Sequence, residues 1–199
     1  SGPGGTLSGG TIALTDVNGR ATFSPSNLII TGPTGSYTLQ FNGASLTGVT
    51  SSAISLTAGS AARVFVTAQP ATAQSGVAFT TAPAVQVQDA AGNPVAGAGR
   101  SVIVSLLSGS GTLTGTLTQS TNASGVATFP GLVLTGTIGP RTLLFSSASI
   151  ASDTTSAITL TPGTATALEY VQQPTTVVAG QVISPSPTVR VRDGAGNTV

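Results

Sequence analysis

The sequence predicts an all-β chain of tandem sandwiches, one complete and seven-stranded, flanked by two partial ones. Three observations carry this. Apolar and small polar residues alternate with period two, without a sustained 3.6-residue pattern. Clusters of Gly, Pro, Asn, Asp and Ser punctuate the alternation at short intervals. And the chain repeats itself: "VQVQDAAGNPV" at 85–95 returns as "VRVRDGAGNTV" at 189–199, a shift of 104.

The repeat sets the organisation. At the same shift "SSAISLTAGSAARVFVTAQP" (51–70) lies on "TSAITLTPGTATALEYVQQP" (155–174), while "GTLSGGTIALTDVNGRATF" (5–23) lies on "GTLTGTLTQSTNASGVATF" (111–129) at a shift of 106. Two extra residues in "SPSNL" against "PGL" account for the difference, an insertion in a turn between homologous strands. Residues 58–162 then form one whole unit. Residues 1–57 match the C-terminal part of a unit, and 163–199 match the N-terminal part of the next. Set end to end, the two partial units lack the equivalent of "AGAGRSVIVSL", about eleven residues and one strand.

Within the whole unit, strands are expected near 62–69, 84–89, 100–107, 111–119, 124–134, 141–148 and 154–161. The repeat assigns their inward faces. In 62–69, Val64 and Val66 correspond to Leu168 and Tyr170, whereas Phe65 corresponds to Glu169, so the position that accepts both Phe and Glu faces water. The same parity sends Val85 and Val87 inward from 84–89, and Val102 and Val104 from 100–107. The Thr-rich segment 111–119 follows. Phe129, Leu132 and Leu134 then point inward from 124–134, Leu143 and Phe145 from 141–148, and Ile158 and Leu160 from 154–161. Phe23, Leu39, Phe41, Ile54 and Leu56 are the counterparts in the first partial unit. Seven short antiparallel strands in about a hundred residues suggest an immunoglobulin-like sandwich.

Composition narrows the chemistry. Ser and Thr make 57 of 199 residues, Gly adds 26, and only 6% are charged. There is no His, Cys, Met or Trp, and every cation is Arg. The groups that do most nucleophilic, acid–base and metal chemistry near neutral pH are therefore missing. A net charge of +1 spread over six Arg gives no basic stripe for nucleic acid. The longest apolar runs, as in "SVIVSLL", are far too short to cross a bilayer, and nothing at the N-terminus resembles a signal peptide.

In "DAAGN", Asp89 stands where its carboxylate can accept backbone N–H groups of the loop, with Gly92 free to take positive φ; Asp193, Gly196 and Asn197 repeat the arrangement. An Asp-capped turn is the expected reading. A calcium ligand is the sharper alternative, and one carboxylate per loop is thin for a hard cation.

The D-x-x-G-N-P-V element at 89–95 and the N-x-x-G-x-A-T-F element at 122–129 resemble the bacterial immunoglobulin-like repeats of invasin- and intimin-type surface proteins. The resemblance covers the whole unit and both partial ones. It implies an extracellular or cell-surface bacterial setting and a spacer role, since receptor binding in that family lies in terminal domains of which no trace is visible here. Without Lys, covalent Lys–Asn cross-links of the kind found in some surface pilins are impossible.

The candidate acids reduce to Asp16, Asp89, Asp153, Glu169 and Asp193. No Ser has a His or Lys to activate it, and no acid pair recurs within one unit, so an enzyme is not expected: no catalytic, cofactor or metal site is assigned. "NAS" at 122–124 fits the glycosylation pattern, but reads as a turn like "DVNGR" in the first unit. Rows such as Thr112, Thr114, Thr116 and Thr118, and loops such as "GTIGPR" with Arg141, offer a second reading as an adhesion or glycan-binding module.

A partial sandwich exposes about eight inward-facing apolar side chains. Leaving each in water forgoes roughly 1.5–3 kcal/mol, so the sum exceeds the stability of a typical domain. The expectation is a segment of a tandem array, or a subunit whose ends complete each other head to tail by strand complementation. Either gives an extracellular fibre or stalk whose partners are copies of itself or adjacent repeats, with glycans as the alternative ligand and neither nucleic acid nor membrane insertion.

Overall fold

The computed structural model describes residues 2–23 and 28–199; the "SPSNL" insertion lies almost wholly outside the described residues. Among them the chain is all-β, with strands and no helix. It divides into two units, Ser1–Ala62 with Val87–Val95, and Arg63–Gln86 with Ala96–Val199.

In the first unit, β1 (Thr6–Ser8) pairs with β2 (Ile29–Thr31). Strand β3 (Gly35–Tyr37) leads into β4 (Gln40–Phe41), and these pair with β6 (Ile54–Leu56) and β5 (Val49–Thr50) respectively. Phe23 lies against Phe41 with ring centroids 5.2 Å apart at 54°. These rings, with Leu39, Ile54 and Leu56, are only half-buried.

The second unit contains β7 (Arg63–Ala68), β8 (Thr72–Gln74), most of β9 (Ala84–Gln88), β10 (Ser101–Ser108), β11 (Thr112–Thr114), β12 (Thr118–Ser120), β13 (Val126–Thr128) and β14 (Val133–Thr135). It continues with β15 (Gly139–Ser146), β16 (Asp153–Thr154), β17 (Ile158–Thr161), β18 (Ala165–Gln172) and β19 (Thr188–Asp193). One sheet runs β12-β10-β15-β17-β8, with β16 also on β15; a second runs β13-β9-β7; β11 and β14 form a ribbon, as do β18 and β19.

Val64, Val85, Val102, Val104, Phe129, Leu132, Leu134, Leu143, Phe145, Ile158 and Leu160 join one buried cluster, and Val66 lies partly buried against it. Phe129 and Phe145 are in ring contact at its centre, centroids 5.2 Å apart. The alternation is strict where it matters: Val102 and Val104 are buried on β10 while Ile103 between them is half exposed. Phe65 also faces water, with the Arg63 guanidinium 5.5 Å from its ring centre. Val87 is buried as expected.

Four expectations about the strands need correction, and with them the count of seven, since residues 58–162 hold eleven short strands, β7 to β17. The strand expected at 154–161 is two, β16 and β17, separated by residues 155–157. The strand expected at 111–119 is two, β11 and β12, in different sheets. The break falls at Gly115, whose φ of +104° and 2.6 Å approach of a would-be Cβ to the Gly131 carbonyl leave room only for glycine. The strand expected at 124–134 is divided by Pro130 and Gly131 into β13 and β14. And the sheets are not purely antiparallel, because β8, whose short "TAQ" shows no apolar alternation, pairs in parallel with β17.

Candidate functional site

The most elaborate polar arrangement in the chain is the loop after β9 and its copy after β19. Asp89 is buried, and its carboxylate accepts four N–H donors. Oδ1 takes the amides of Ala91 (2.9 Å) and Asn93 (2.8 Å); Oδ2 takes the amide of Gly59 (2.8 Å) and the side-chain amide of Asn93 (2.9 Å). Gly92, at φ +86°, closes the turn with its N–H on the Asp89 carbonyl.

Asn93 carries the contact further. Its Nδ2 also donates to the Gly32 carbonyl at 2.9 Å, and its Oδ1 accepts the Thr34 amide at 2.8 Å. The side-chain amide thus reads one carbonyl and one N–H of the "TGPTG" turn, as an adjacent strand would. Asp89 meanwhile fixes Gly59, 30 residues earlier.

The copy is complete. Asp193 accepts the amides of Ala195 (2.9 Å), Asn197 (2.8 Å) and Gly163 (2.6 Å) and the Asn197 side-chain amide (2.8 Å). Asn197 donates to the Gly136 carbonyl at 2.9 Å and accepts the Ile138 amide at 2.9 Å, within "TGTIG". Gly32, Thr34, Gly59, Asp89 and Asn93 each move by 104 to Gly136, Ile138, Gly163, Asp193 and Asn197.

Hydrogen bonds to the ionised form govern both carboxyls. For Asp89 the Asn93 side chain and then the Gly59 amide outweigh burial and hold the pKa at about 2 against an ordinary 3.8. For Asp193 burial, which works upward, is the largest influence, yet Asn197, Gly163 and Ala195 together bring it to about 2. A carboxylate has about four acceptor positions. Here all four are occupied by N–H groups, so the calcium reading loses its ligand, and no group of three or more His, Cys, Asp or Glu lies together among the described residues.

The gripped turns are themselves pinned. In the first unit the Tyr37 hydroxyl donates to the Pro33 carbonyl at 2.7 Å. In the second, Arg141 occupies the corresponding place and donates from Nη2 to the Thr137 carbonyl and from Nη1 to the Pro140 carbonyl.

The other candidate acids are dispersed. Asp16 accepts the Asn18 and Arg20 amides, as Asn122 accepts those of Ser124 and Val126, so the "NAS" stretch is the turn that "DVNGR" suggested. Asp153 accepts the Val66 amide, tying β16 to β7. Glu169 binds Arg192 on the exposed face of β18 and β19.

Of the features behind the adhesion reading, Thr112, Thr114, Thr116 and Thr118 are all exposed, whereas Arg141 is not. Arg141 is 4% exposed, and the Thr row is broken because β11 and β12 belong to different sheets.

What the sequence reading missed is Asn93. Its role as the contact to a turn some 60 residues away was signalled by the joint recurrence of "GN" and "TG-x-x-G" at one shift.

Neither protein-family models nor curated proteins give a match. Among solved structures the chain is similar to a glycosyl hydrolase family 2 member from Bacteroides cellulosilyticus, at 15% identity and a TM-score of 0.41, over 73% of this chain and 21% of that one. The chain thus spans about a fifth of that protein's length, and no function is carried over from it.

Proposed function

We propose that this chain is a structural segment built from head-to-tail immunoglobulin-like repeats, serving as spacer in a bacterial extracellular fibre or surface stalk rather than as an enzyme. The observation that carries the reading is the duplicated clasp. In terms of the sequence repeat, the D-x-x-G-N loop of one unit holds both the connecting glycine (Gly59 or Gly163) and the T-G-x-x-G turn of the unit before it. Such a joint removes the freedom of a short linker and passes load from unit to unit. It couples neighbours in the manner of repeat proteins, whose stability is a sum of unit and interface terms.

In this reading the joint is held by N–H donors on each carboxylate rather than by a cation. The exposed apolar face of β18 and β19 is, in this reading, a surface for packing against a neighbouring repeat. Leu168, Tyr170, Val189 and Val191, counterparts of Val64, Val66, Val85 and Val87, are exposed, Leu168 by 70%. Their burial is worth roughly 1.5–3 kcal/mol each.

Electron microscopy of the purified chain over a range of concentrations tests the reading. Elongated particles with a regular axial repeat, unaffected by chelators, are expected; compact, monodisperse globules at every concentration would overturn it. A glycan array separates the adhesion alternative, for which binding must be found at residues other than Arg141.

A further inference from the structure

Two asparagines of the chain precede a glycine, Asn18 in "DVNGR" and Asn42 in "FNGAS". Such a pair carries its own reaction. The backbone nitrogen of a glycine, with no Cβ beside it, can attack the side-chain amide carbon of the residue before.

The structure treats the two pairs differently. At Asn18 the turn is closed: the Gly19 N–H donates to the Asp16 carbonyl at 3.0 Å, and Asp16 Oδ1 holds the amides of Asn18 and Arg20, each at 2.9 Å. The nitrogen that would attack is already engaged as a donor. Asn42 lies in the exposed 42–48 loop between β4 and β5. Among the described residues neither its side-chain amide nor the Gly43 N–H has a hydrogen-bond partner, and the loop is tied by a bond from the Leu46 amide to the Gly43 carbonyl at 3.2 Å. The other described asparagines are protected. Asn93 precedes Pro94, whose nitrogen carries no hydrogen, Asn197 is buried with its side-chain amide bonded, and Asn122 holds two amides on Oδ1 ahead of Ala123.

The repeat supplies an internal contrast. Residues 42–49 correspond to 146–153, and the left-handed position is kept, with Ser45 at φ +61° and Ser149 at +64°. In that copy the pair reads Ser146–Ser147, and the Ser147 hydroxyl donates to the Ser101 carbonyl at 2.7 Å. The backbone is the same and the reactive groups are absent.

We propose that Asn42–Gly43 is a site of spontaneous deamidation and backbone isomerisation. The Gly43 nitrogen bonds to Asn42 Cγ as the Cγ–Nδ2 bond breaks, and the proton of that nitrogen leaves with Nδ2 as ammonia, giving a cyclic imide. Water then opens the ring. Addition at Cγ leaves an aspartate side chain; addition at the backbone carbonyl carbon leaves an isoaspartyl linkage, with the main chain rerouted through the side-chain carbons. Either product adds a negative charge that cancels the formal net charge of +1. The isoaspartyl form also lengthens the backbone directly after the Phe41–Val49 pair of β4 and β5.

The test holds the full chain in warm, mildly alkaline buffer, folded or in denaturing urea, and samples it over time. Trypsin separates the two sites into peptides 1–20 and 21–63. In the folded chain Asn42 should gain about 1 Da, partly in a form that an isoaspartyl methyltransferase labels. Asn18 should react roughly threefold to tenfold more slowly, the effect of the hydrogen bond on its glycine. In urea the two rates should converge. Gly43→Ala, whose added methyl first meets the Leu46 side-chain tip at 3.0 Å and fits with a small movement of it, should suppress the reaction at Asn42. Asn18 reacting as fast as Asn42 in the folded chain, an Asn42 that stays intact when folded, or an undiminished rate in Gly43→Ala would overturn the assignment.

Discussion

Tyr37 and Arg141 hold the same place 104 residues apart and do the same thing with different chemistry: a phenol hydroxyl on the Pro33 carbonyl, a guanidinium on the Thr137 carbonyl. Both are nearly fully buried, and each fixes the turn whose next amide and preceding carbonyl the clasp asparagine reads. Only one donor at that point is required, not one residue type.

Arg141→Tyr should therefore be tolerated within about 1 kcal/mol, whereas Arg141→Ala should cost about 1–3 kcal/mol by leaving the Thr137 carbonyl without its donor. Urea midpoints of the two variants check this. Equal loss in both would mean that the turn does not depend on the pin.

Asn93→Ala and Asn197→Ala each remove a side chain whose amide makes bonds in both directions. We expect about 1–3 kcal/mol per site from the unpaired groups left behind. Asn93→Asp should be worse than Asn93→Ala, because it sets a second negative charge against Asp89. Equilibrium denaturation of the three variants gives the order directly.

Acid should act through the two clasp carboxylates. Their pKa values fall from 3.8 to about 2 on folding, so the unfolded chain binds more protons between those values. The stability they contribute is complete above 3.8 and drains away as pH falls toward 2. Urea midpoints measured against pH should be level near neutrality and drop below about pH 4. Replacing both Asp89 and Asp193 by Asn should flatten that drop, at lower overall stability.

Phe145 is fully buried and Phe41, its counterpart, is half-buried. Phe145→Ala should cost about 3–5 kcal/mol, and Phe41→Ala clearly less. Differential denaturation of the two variants measures the contrast; equal costs would contradict the picture of a sealed core in one unit and an open one in the other.

Gly115→Ala should destabilise by more than about 1 kcal/mol, since alanine meets both a positive φ and the Gly131 carbonyl. A thermal melt suffices to check it.

The inward faces were legible in the sequence because burial follows parity. Val102 and Val104 are buried and Ile103 is not, although all three are aliphatic, and the Phe65 to Glu169 substitution marks its face as wet without any coordinates. Strand ends were less legible, because Gly115 and the Pro130–Gly131 pair break runs that alternate smoothly in composition. Strand β8 could not be read at all: "TAQ" is held by pairing with β17, almost 90 residues away, and not by its own pattern. In the clasp, the bonds of Asp89 to the Ala91 and Asn93 amides are local and were read from "DAAGN"; its bond to Gly59, 30 residues earlier, was not. The Asn half joins positions about 60 residues apart and becomes visible only when both ends of the contact are seen to recur together.

Hydrogen exchange of four amides tests the clasp most directly. Those of Thr34, Gly59, Ile138 and Gly163 donate to Asn93, Asp89, Asn197 and Asp193 respectively. The account predicts strong protection of all four in the intact chain, with Thr34 released by Asn93→Ala and Ile138 by Asn197→Ala. Exchange of these amides at the rates of an unstructured peptide in the unmodified chain would contradict it.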